Sequence, residues 1–113
     1  TEGRKNEREV WGQSSPWCDY AGPLDGRFVG VMLMAHPENF RPPWWHVRDY
    51  GLAVANPFGR SALARGGRSS VVVMRGEKFR LRFGVLLHDH ASEEDFDPAA
   101  GYDDYLHLAT DDE

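Results

Sequence analysis

The chain consists of short strand-like segments, and the connections between them are too short to hold a crossover helix. Turn-forming pairs such as Asp25-Gly26 and Asn56-Pro57 separate these segments, which recur about every ten residues. Parallel strands need a connection of about a dozen residues or more, whereas tight turns join antiparallel strands. The pattern therefore predicts an all-β fold of about six or seven strands, an antiparallel β-sandwich that is complete or part of a larger supersandwich.

The clearest strand signal is a strict alternation of side chains over residues 79–87. Four apolar residues alternate there with two arginines and a glycine: Phe79, Arg80, Leu81, Arg82, Phe83, Gly84 and Val85. This period of two predicts a strand with one buried face and one basic face. Residues 28–35 form a nearly continuous apolar run, which predicts a strand buried on both faces. The other predicted strands cover residues 17–20, 44–47, 52–55 and 70–74.

The C-terminal residues change to a helical pattern. Asp97 suits an N-cap, and Pro98 suits the first helical position. Apolar residues then recur at i, i+3, i+4 and i+7, namely Tyr102, Tyr105, Leu106 and Ala109. The pattern predicts one amphipathic helix over residues 97–109. Since charge runs near chain ends usually face water, we expect a surface helix with no part in the chemistry.

Charge is divided unevenly along the chain, whose formal net charge is −5. All 13 basic residues precede His88, and only 8 of the 18 acidic residues do, so the first 88 residues carry a charge of +5. This weak, unclustered charge does not indicate nucleic-acid binding. The apolar runs are far shorter than the roughly 20 residues of a membrane helix, so no membrane partner is predicted. The single cysteine, Cys18, permits neither an internal disulfide nor a multi-cysteine zinc site.

Two further properties are left open by the sequence, the cellular compartment and the oligomeric state. Residues 1–9 are polar and without periodicity, and we expect them to be a flexible start. The predicted sandwich strands then occupy residues 10–90.

Aromatic and planar polar side chains concentrate in residues 44–59. Sugars present hydroxyls at their edges and C–H groups on their faces, so they suit aromatic rings flanked by planar hydrogen-bonding groups. We predict carbohydrate as the partner, with these substrate-binding residues: Trp45, Arg48, Asp49, Tyr50 and Asn56. Trp44 and His46 supply the same chemistry. The alternative is that the rings pack in the core and that Arg48 and Asp49 form a local charge pair.

Histidines are the candidate groups for proton transfer near neutral pH. We predict His36 and His46 as the catalytic acid–base groups. The candidate carboxylate partners are Asp19, Asp49 and Asp89. His88 and His90 lie two apart on a predicted strand, so their rings share a face and form a weak candidate pair for a transition metal. The alternative is a solvated strand end without metal, and the sequence names no cofactor.

Four ordered motifs make the sequence similar to a bacterial family labelled methane oxygenase PmoA. They are W-C-D-Y-A-G-P at residues 17–23, H-P-E-N at 36–39, W-H-V-R-D-Y-G at 45–51 and A-N-P-F-G at 55–59. Ala35 departs from the aspartate that many members have before the histidine. The resemblance implies a soluble bacterial β-sandwich protein of poorly known function, found beside genes of sugar metabolism. Members are longer, so it also implies that residues 1–113 are a single domain or the C-terminal portion of a larger one.

Three functions stay open at this point. A sugar-processing enzyme, with hydrolase, lyase or epimerase-like chemistry, requires the histidines and Arg48 to converge on one concave pocket. A non-catalytic carbohydrate-binding module requires Trp44 or Trp45 on a shallow face, without convergent histidines. A metal-dependent oxygenase, which the family label implies, requires three histidine nitrogens around one point.

Overall fold

The computed structural model describes residues 10–60, 66–67 and 69–111, so residues 1–9, the predicted flexible start, lie outside that part. Its strands are β1 (Trp17–Leu24), β2 (Arg27–Ala35), β3 (Trp44–Arg48), β4 (Leu52–Asn56) and β5 (Phe83–His90). A short 3-10 helix (Glu93–Asp95) and helix α1 (Pro98–Asp111) follow. The strands form two antiparallel sheets that are not closed, so the predicted all-β class with a C-terminal helix is confirmed. Membership in a larger domain stays a prediction.

The first sheet has the strand order β1-β2-β5, with β2 in the centre. The turn between β1 and β2 lies at Asp25 and Gly26, whose φ angles of 51° and 79° are those an Asp-Gly hairpin requires. On the other side of β2, the register of β5 places His88 opposite Gly30. Ala21 of β1 is the partner of Gly30 from the first side. Side chains of β1 and β5 therefore meet across a position that carries no side chain of its own.

The second sheet is the β3–β4 hairpin, which packs against one face of the first sheet. Cys18, Trp45 and Val47 form the buried centre of this contact. The Trp45 indole donates to the hydroxyl of Ser15 at 2.8 Å and to its carbonyl at 3.1 Å. Burial raises the pKa of the Cys18 thiol to about 11, so Cys18 acts as a small apolar side chain in this core.

The segment before β1 extends the second sheet along the free edge of β3. The Gly12 amide donates to the carbonyl of Trp45 at 2.7 Å, and the Trp45 amide donates to the carbonyl of Gln13 at 2.8 Å. These two hydrogen bonds hold Trp11 beside the strand.

Helix α1 covers the opposite face of the first sheet. The ring of Tyr105 lies so close to Gly84 that an added Cβ would be 2.6 Å from its Cδ1 atom. The Tyr102 hydroxyl donates to the carbonyl of Ala35 at 2.9 Å. The first sheet therefore separates the hairpin from the helix. In the described part of the chain, no helix combines the length and the hydropathy that a membrane crossing needs.

Two predicted strands differ from the structure: one is absent from both sheets, and the other begins later than predicted. Residues 70–74 and 79–82, predicted as strand, are not part of a sheet. A β-branched run forms a strand only where a neighbour pairs with it, and residues 70–74 have none in the described structure. At Arg82, the Asn39 side chain donates to the Arg82 carbonyl at 2.9 Å and accepts from its amide at 2.8 Å, and the His36 amide donates to the same carbonyl at 3.1 Å. β5 begins at Phe83, four residues after the predicted start at Phe79.

The buried and exposed faces of β5 are the reverse of the prediction. Phe83 and Val85 are 43% and 63% exposed. Gly84, Leu86 and His88 instead lie on the face that α1 and the residues before it cover. The reason is that the β3–β4 hairpin covers β1 and part of β2 but leaves β5 open.

The central strand β2 is buried on both faces over only part of its length. Met32 and Met34 are buried on the helix side, and Leu33 packs against the core under the hairpin. Val31, on the hairpin side, is 40% exposed. The prediction of burial on both faces is thus wrong at Val31, which lines an open groove between the two sheets.

Candidate functional site

The outward surface of the β3–β4 hairpin carries a row of aromatic and polar side chains. Trp44, His46 and Arg48 alternate along β3 with two buried residues, so they point away from the core. All three are half-buried. Trp45, predicted to bind substrate, is one of the buried residues and lies on the core side. We call the set of Trp11, Trp44, His46 and Arg48 the outer face.

Trp11 completes the outer face at the edge of β3. Its indole N–H donates to His46 Nδ1 at 3.2 Å, and the two rings meet edge to face with 6.1 Å between centroids. The Arg48 guanidinium lies 5.3 Å from the centre of the Trp11 ring, within cation–π distance. Because an indole N–H can only donate, His46 Nδ1 must accept, and the neutral imidazole carries its proton on Nε2. His46 thus keeps one N–H donor for a ligand.

The Arg41 guanidinium lies between the outer face and a second group of rings at the open end of the hairpin. It is 6.0 Å from the centre of the Trp44 ring and 4.4 Å from that of Phe40. Its Nη1 donates to the Ser69 hydroxyl at 3.1 Å, which fixes its position. Three phenylalanine rings with centroids 5.3 to 6.1 Å apart form what we call the aromatic patch: Phe40, Phe58 and Phe79.

Asn56 lies at the same open end of the hairpin, opposite Trp44 in the β3–β4 ladder. Its side-chain oxygen accepts a hydrogen bond from the Phe58 amide at 3.0 Å, which closes an Asx-type turn over Pro57. Asn56, predicted to bind substrate, therefore positions the aromatic patch relative to the outer face.

Asp49 and Tyr50, the other two predicted substrate-binding residues, lie at the tip of the hairpin. Both are exposed, and Tyr50 is 81% exposed. The tip is held by Tyr20, whose hydroxyl donates to the Arg48 carbonyl at 2.7 Å and accepts from the Gly51 amide at 2.8 Å. The tip and the outer face are therefore adjacent through Arg48.

His36 lies on the other side of the first sheet from His46. Its ring meets Tyr105 of α1 edge to face at 6.1 Å, and its Nδ1 accepts from the Glu38 amide at 3.1 Å in the turn after β2. The two residues predicted to be catalytic are thus separated by the sheet. The structure does not bring them to one pocket.

His88 forms a buried pair with Asp19 on the helix side of the sheet. His88 Nε2 lies 2.7 Å from Asp19 Oδ1, and the two side chains are 3% and 11% exposed. Gly30 makes room for the pair, because an added Cβ would be 2.6 Å from both His88 Nε2 and the Ala21 Cβ. Desolvation raises the pKa of Asp19, and the bond to His88 partly opposes this. A carboxylate held against one imidazole nitrogen is the arrangement that orients a histidine for proton transfer.

Phe96 covers this pair and its neighbour His90. The Phe96 ring stacks on His88 with 3.8 Å between centroids and on His90 with 4.9 Å. Within the described residues, His88 Nδ1 and His90 Nε2 are buried without a hydrogen-bond partner. In the part of the chain that the structure describes, no group of three or more His, Cys, Asp and Glu side chains could hold a metal ion. His88 and His90, the weak metal candidates, lie on one face of β5 as predicted, and the Phe96 ring covers both.

A shallow, mainly apolar groove of about 230 Å³ lies where the two sheets meet. Its lining consists of Tyr20, Val31, Leu33, Gly51 and Ala53. None of the predicted catalytic or metal-binding histidines is part of this lining.

One family model matches most of the chain, namely that of the family of unknown function DUF6807, over residues 1–99. The chain belongs to the DUF6807 family. The resemblance to methane oxygenase PmoA is therefore wrong, because the matching family is DUF6807 and nothing links it to that name. Among curated proteins and solved structures, none matches the chain. Membership in DUF6807 assigns no function, so function has to be argued from the side chains.

Two features of these sites were not predicted from the sequence. Trp11 lies in a segment without a strand pattern, and its approach to His46 depends on backbone bonds between distant residues. The pairing of Asp19 with His88 joins residues 69 positions apart. A signal for that pair did exist, because Gly30 interrupts an apolar strand, and such a glycine often marks a close approach of other atoms.

Proposed function

We propose that the outer face of the hairpin binds carbohydrate. The proposal rests on one observation: two indole rings, an imidazole and a guanidinium lie together on one shallow surface. Flat rings suit the C–H faces of sugars, and planar donors suit the hydroxyls at their edges.

Each member of the outer face has a distinct role in this proposal. Trp44 and Trp11 supply the flat apolar surface, and both are only half-buried. His46 donates through Nε2 because its Nδ1 is occupied by Trp11. Arg48, placed over the Trp11 ring, offers several N–H donors to vicinal hydroxyls.

Binding is favoured over catalysis by the separation of the histidines. A sugar-processing enzyme needs its acid–base groups within reach of one substrate bond. His36 packs against α1, whereas His46 lies on the hairpin, and the first sheet lies between them. His88 is paired with Asp19 and covered by Phe96. This distribution supports a binding surface at the outer face.

The proposal is tested by His46→Ala and His46→Phe in titrations with soluble oligosaccharides. We expect His46→Ala to weaken binding about tenfold or more, which corresponds to about 1.4 kcal/mol, because it removes both the donor and the ring beside Trp11. His46→Phe keeps a flat ring and removes the nitrogens, so it separates the hydrogen bond from the packing. Isothermal titration calorimetry measures both.

The matched control is His107→Ala, because His107 is an exposed histidine of α1 remote from the hairpin, with its Nδ1 atom 2.8 Å from the Asp103 carbonyl oxygen. This control should bind like the unmodified protein. Equal affinity of His46→Ala and His107→Ala would overturn the role of the outer face, and so would the absence of binding to any glycan of a broad panel.

A further inference from the structure

The outer face continues without interruption into the aromatic patch. Along β3, Trp44 and His46 are two residues apart, a distance of about 7 Å. Arg41 follows at 6.0 Å from the Trp44 ring, and Phe40 lies 4.4 Å from the Arg41 guanidinium. Phe79 then lies 5.3 Å from Phe40, ring centre to ring centre. Successive members of this row are therefore separated by no more than about 7 Å.

The aromatic patch is partly exposed, although its three phenylalanine rings contact one another. Phe40, Phe58 and Phe79 are 41%, 43% and 41% exposed. Their mutual contacts hold the rings in place, yet more than a third of each side chain still faces water. Contiguous apolar surface of this kind marks a binding site more often than an isolated exposed ring does.

We propose that the outer face and the aromatic patch form one elongated site for an oligosaccharide of several sugar units. This inference rests on the proposed carbohydrate binding and specifies the ligand as a chain rather than a single sugar. Sugar rings at one end contact Trp11, Trp44, His46 and Arg48. Rings at the other end lie on the aromatic patch, with the Arg41 guanidinium between the two groups donating to their hydroxyls.

A polymer-like ligand also agrees with the shape of the surface. The row follows the outside of the hairpin from Arg48, near its tip, to Phe58, beyond its open end. A single sugar contacts only one or two of these groups at a time. Since each ring contributes separately, affinity should rise with every unit that reaches a further ring.

The test is the dependence of affinity on ligand length, measured by calorimetry with a series from monosaccharide to hexasaccharide. For the unmodified protein, we expect the affinity to rise at least tenfold between the disaccharide and the hexasaccharide. Phe79→Ala should abolish most of that rise, because it removes one of the rings on which the distal sugar units lie. Val72→Ala is the matched control, because Val72 is an exposed apolar side chain outside the patch.

The outcomes separate this inference from the function on which it rests. Affinity that stays constant from the disaccharide upwards, or a Phe79→Ala protein with the unmodified length dependence, would overturn the elongated site and leave carbohydrate binding intact. Absence of binding at every length would overturn both. Phe58→Ala, which truncates a different ring, repeats the test should Phe79→Ala fail to fold, and circular dichroism shows whether each variant is folded.

Discussion

At the scale of single residues, hydrogen bonds fix the states of the two best-placed histidines. His46 accepts from Trp11 and therefore keeps its proton on Nε2. His88 is held through Nε2 by Asp19 in a nearly closed environment. The first arrangement leaves a donor beside an open surface, whereas the second is covered by Phe96. Both histidines and Asp19 were candidates from the sequence, but the pairing of Asp19 with His88 and the approach of Trp11 to His46 were not predicted, because they join residues that are distant in the sequence.

Replacement of Asp19 should change the stability of the protein by different amounts, depending on the residue that replaces it. Asp19→Ala leaves a buried imidazole nitrogen without its partner, so we expect a loss of about 1–3 kcal/mol in the free energy of unfolding near neutral pH. Asp19→Asn keeps an acceptor for the His88 N–H and removes the buried charge. We expect it to be clearly more stable than Asp19→Ala in urea unfolding, and equal stability of the two variants would contradict the hydrogen bond.

The same carboxyl gives a pH dependence with a defined sign. Burial raises the pKa of Asp19 above its ordinary value of 3.8, so the fold favours the protonated form. Its contribution to stability is complete below pH 3.8 and is lost as the pH rises through the raised pKa. Relative to the unmodified protein, Asp19→Asn should therefore gain stability as the pH increases through that range. A difference that is constant between pH 3.5 and 7 would show that burial does not perturb Asp19.

At the scale of secondary structure, the sequence predictions were correct where a turn or a helix end depends only on residues close in the sequence. The Asp25-Gly26 turn follows from two positive φ angles that these residues tolerate. Helix α1 begins at Pro98, and Asp97 Oδ1 accepts from the Ala99 amide at 3.1 Å, as a cap should. Residues 70–74 failed as a strand because a strand also needs a neighbour, which composition does not specify.

Substitution of Gly30 tests how closely strands β1, β2 and β5 pack around this position. A methyl group at this position would lie 2.6 Å from both Ala21 Cβ and His88 Nε2, so the sheet or the His88 ring must shift. We expect Gly30→Ala to destabilise the protein by about 1–3 kcal/mol, as overpacking does. Gly22→Ala is the control within β1, because an added Cβ there meets no atom within 4 Å. Equal unfolding midpoints of the two variants in urea would contradict the close approach of His88 to Gly30.

At the scale of the whole molecule, three layers decide which residues are buried. The hairpin covers one side of the first sheet, and α1 covers the other. Alternation in residues 79–87 correctly indicated a two-faced strand from Phe83 onwards. It could not show which face is covered, because that depends on where the hairpin and the helix dock. Three members of the outer face, Trp44, His46 and Arg48, were candidates from the sequence, whereas the approach of Trp11 to them needed the fold.

This layering predicts that two substitutions in adjacent strands lower the free energy of unfolding by unequal amounts. Leu87 is 74% exposed on the open face of β5, so Leu87→Ser should change the free energy of unfolding by less than about 0.5 kcal/mol. Met32 is fully buried on the opposite face, so Met32→Ala should cost about 2–5 kcal/mol. Urea denaturation measures both. A larger loss for Leu87→Ser than for Met32→Ala would mean that the faces of the sheet are assigned the wrong way round.

The most direct test of carbohydrate binding by the outer face is a nuclear magnetic resonance titration of the isotope-labelled protein with a hexasaccharide that it binds. We predict that the indole N–H signals of Trp11 and Trp44 and the ring signals of His46 shift progressively and saturate together, because these groups lie on one surface. The signals of the buried Trp45 indole and of His88 should stay unchanged. Shifts confined to His88 and Phe96, with the outer face unaffected, would contradict this account.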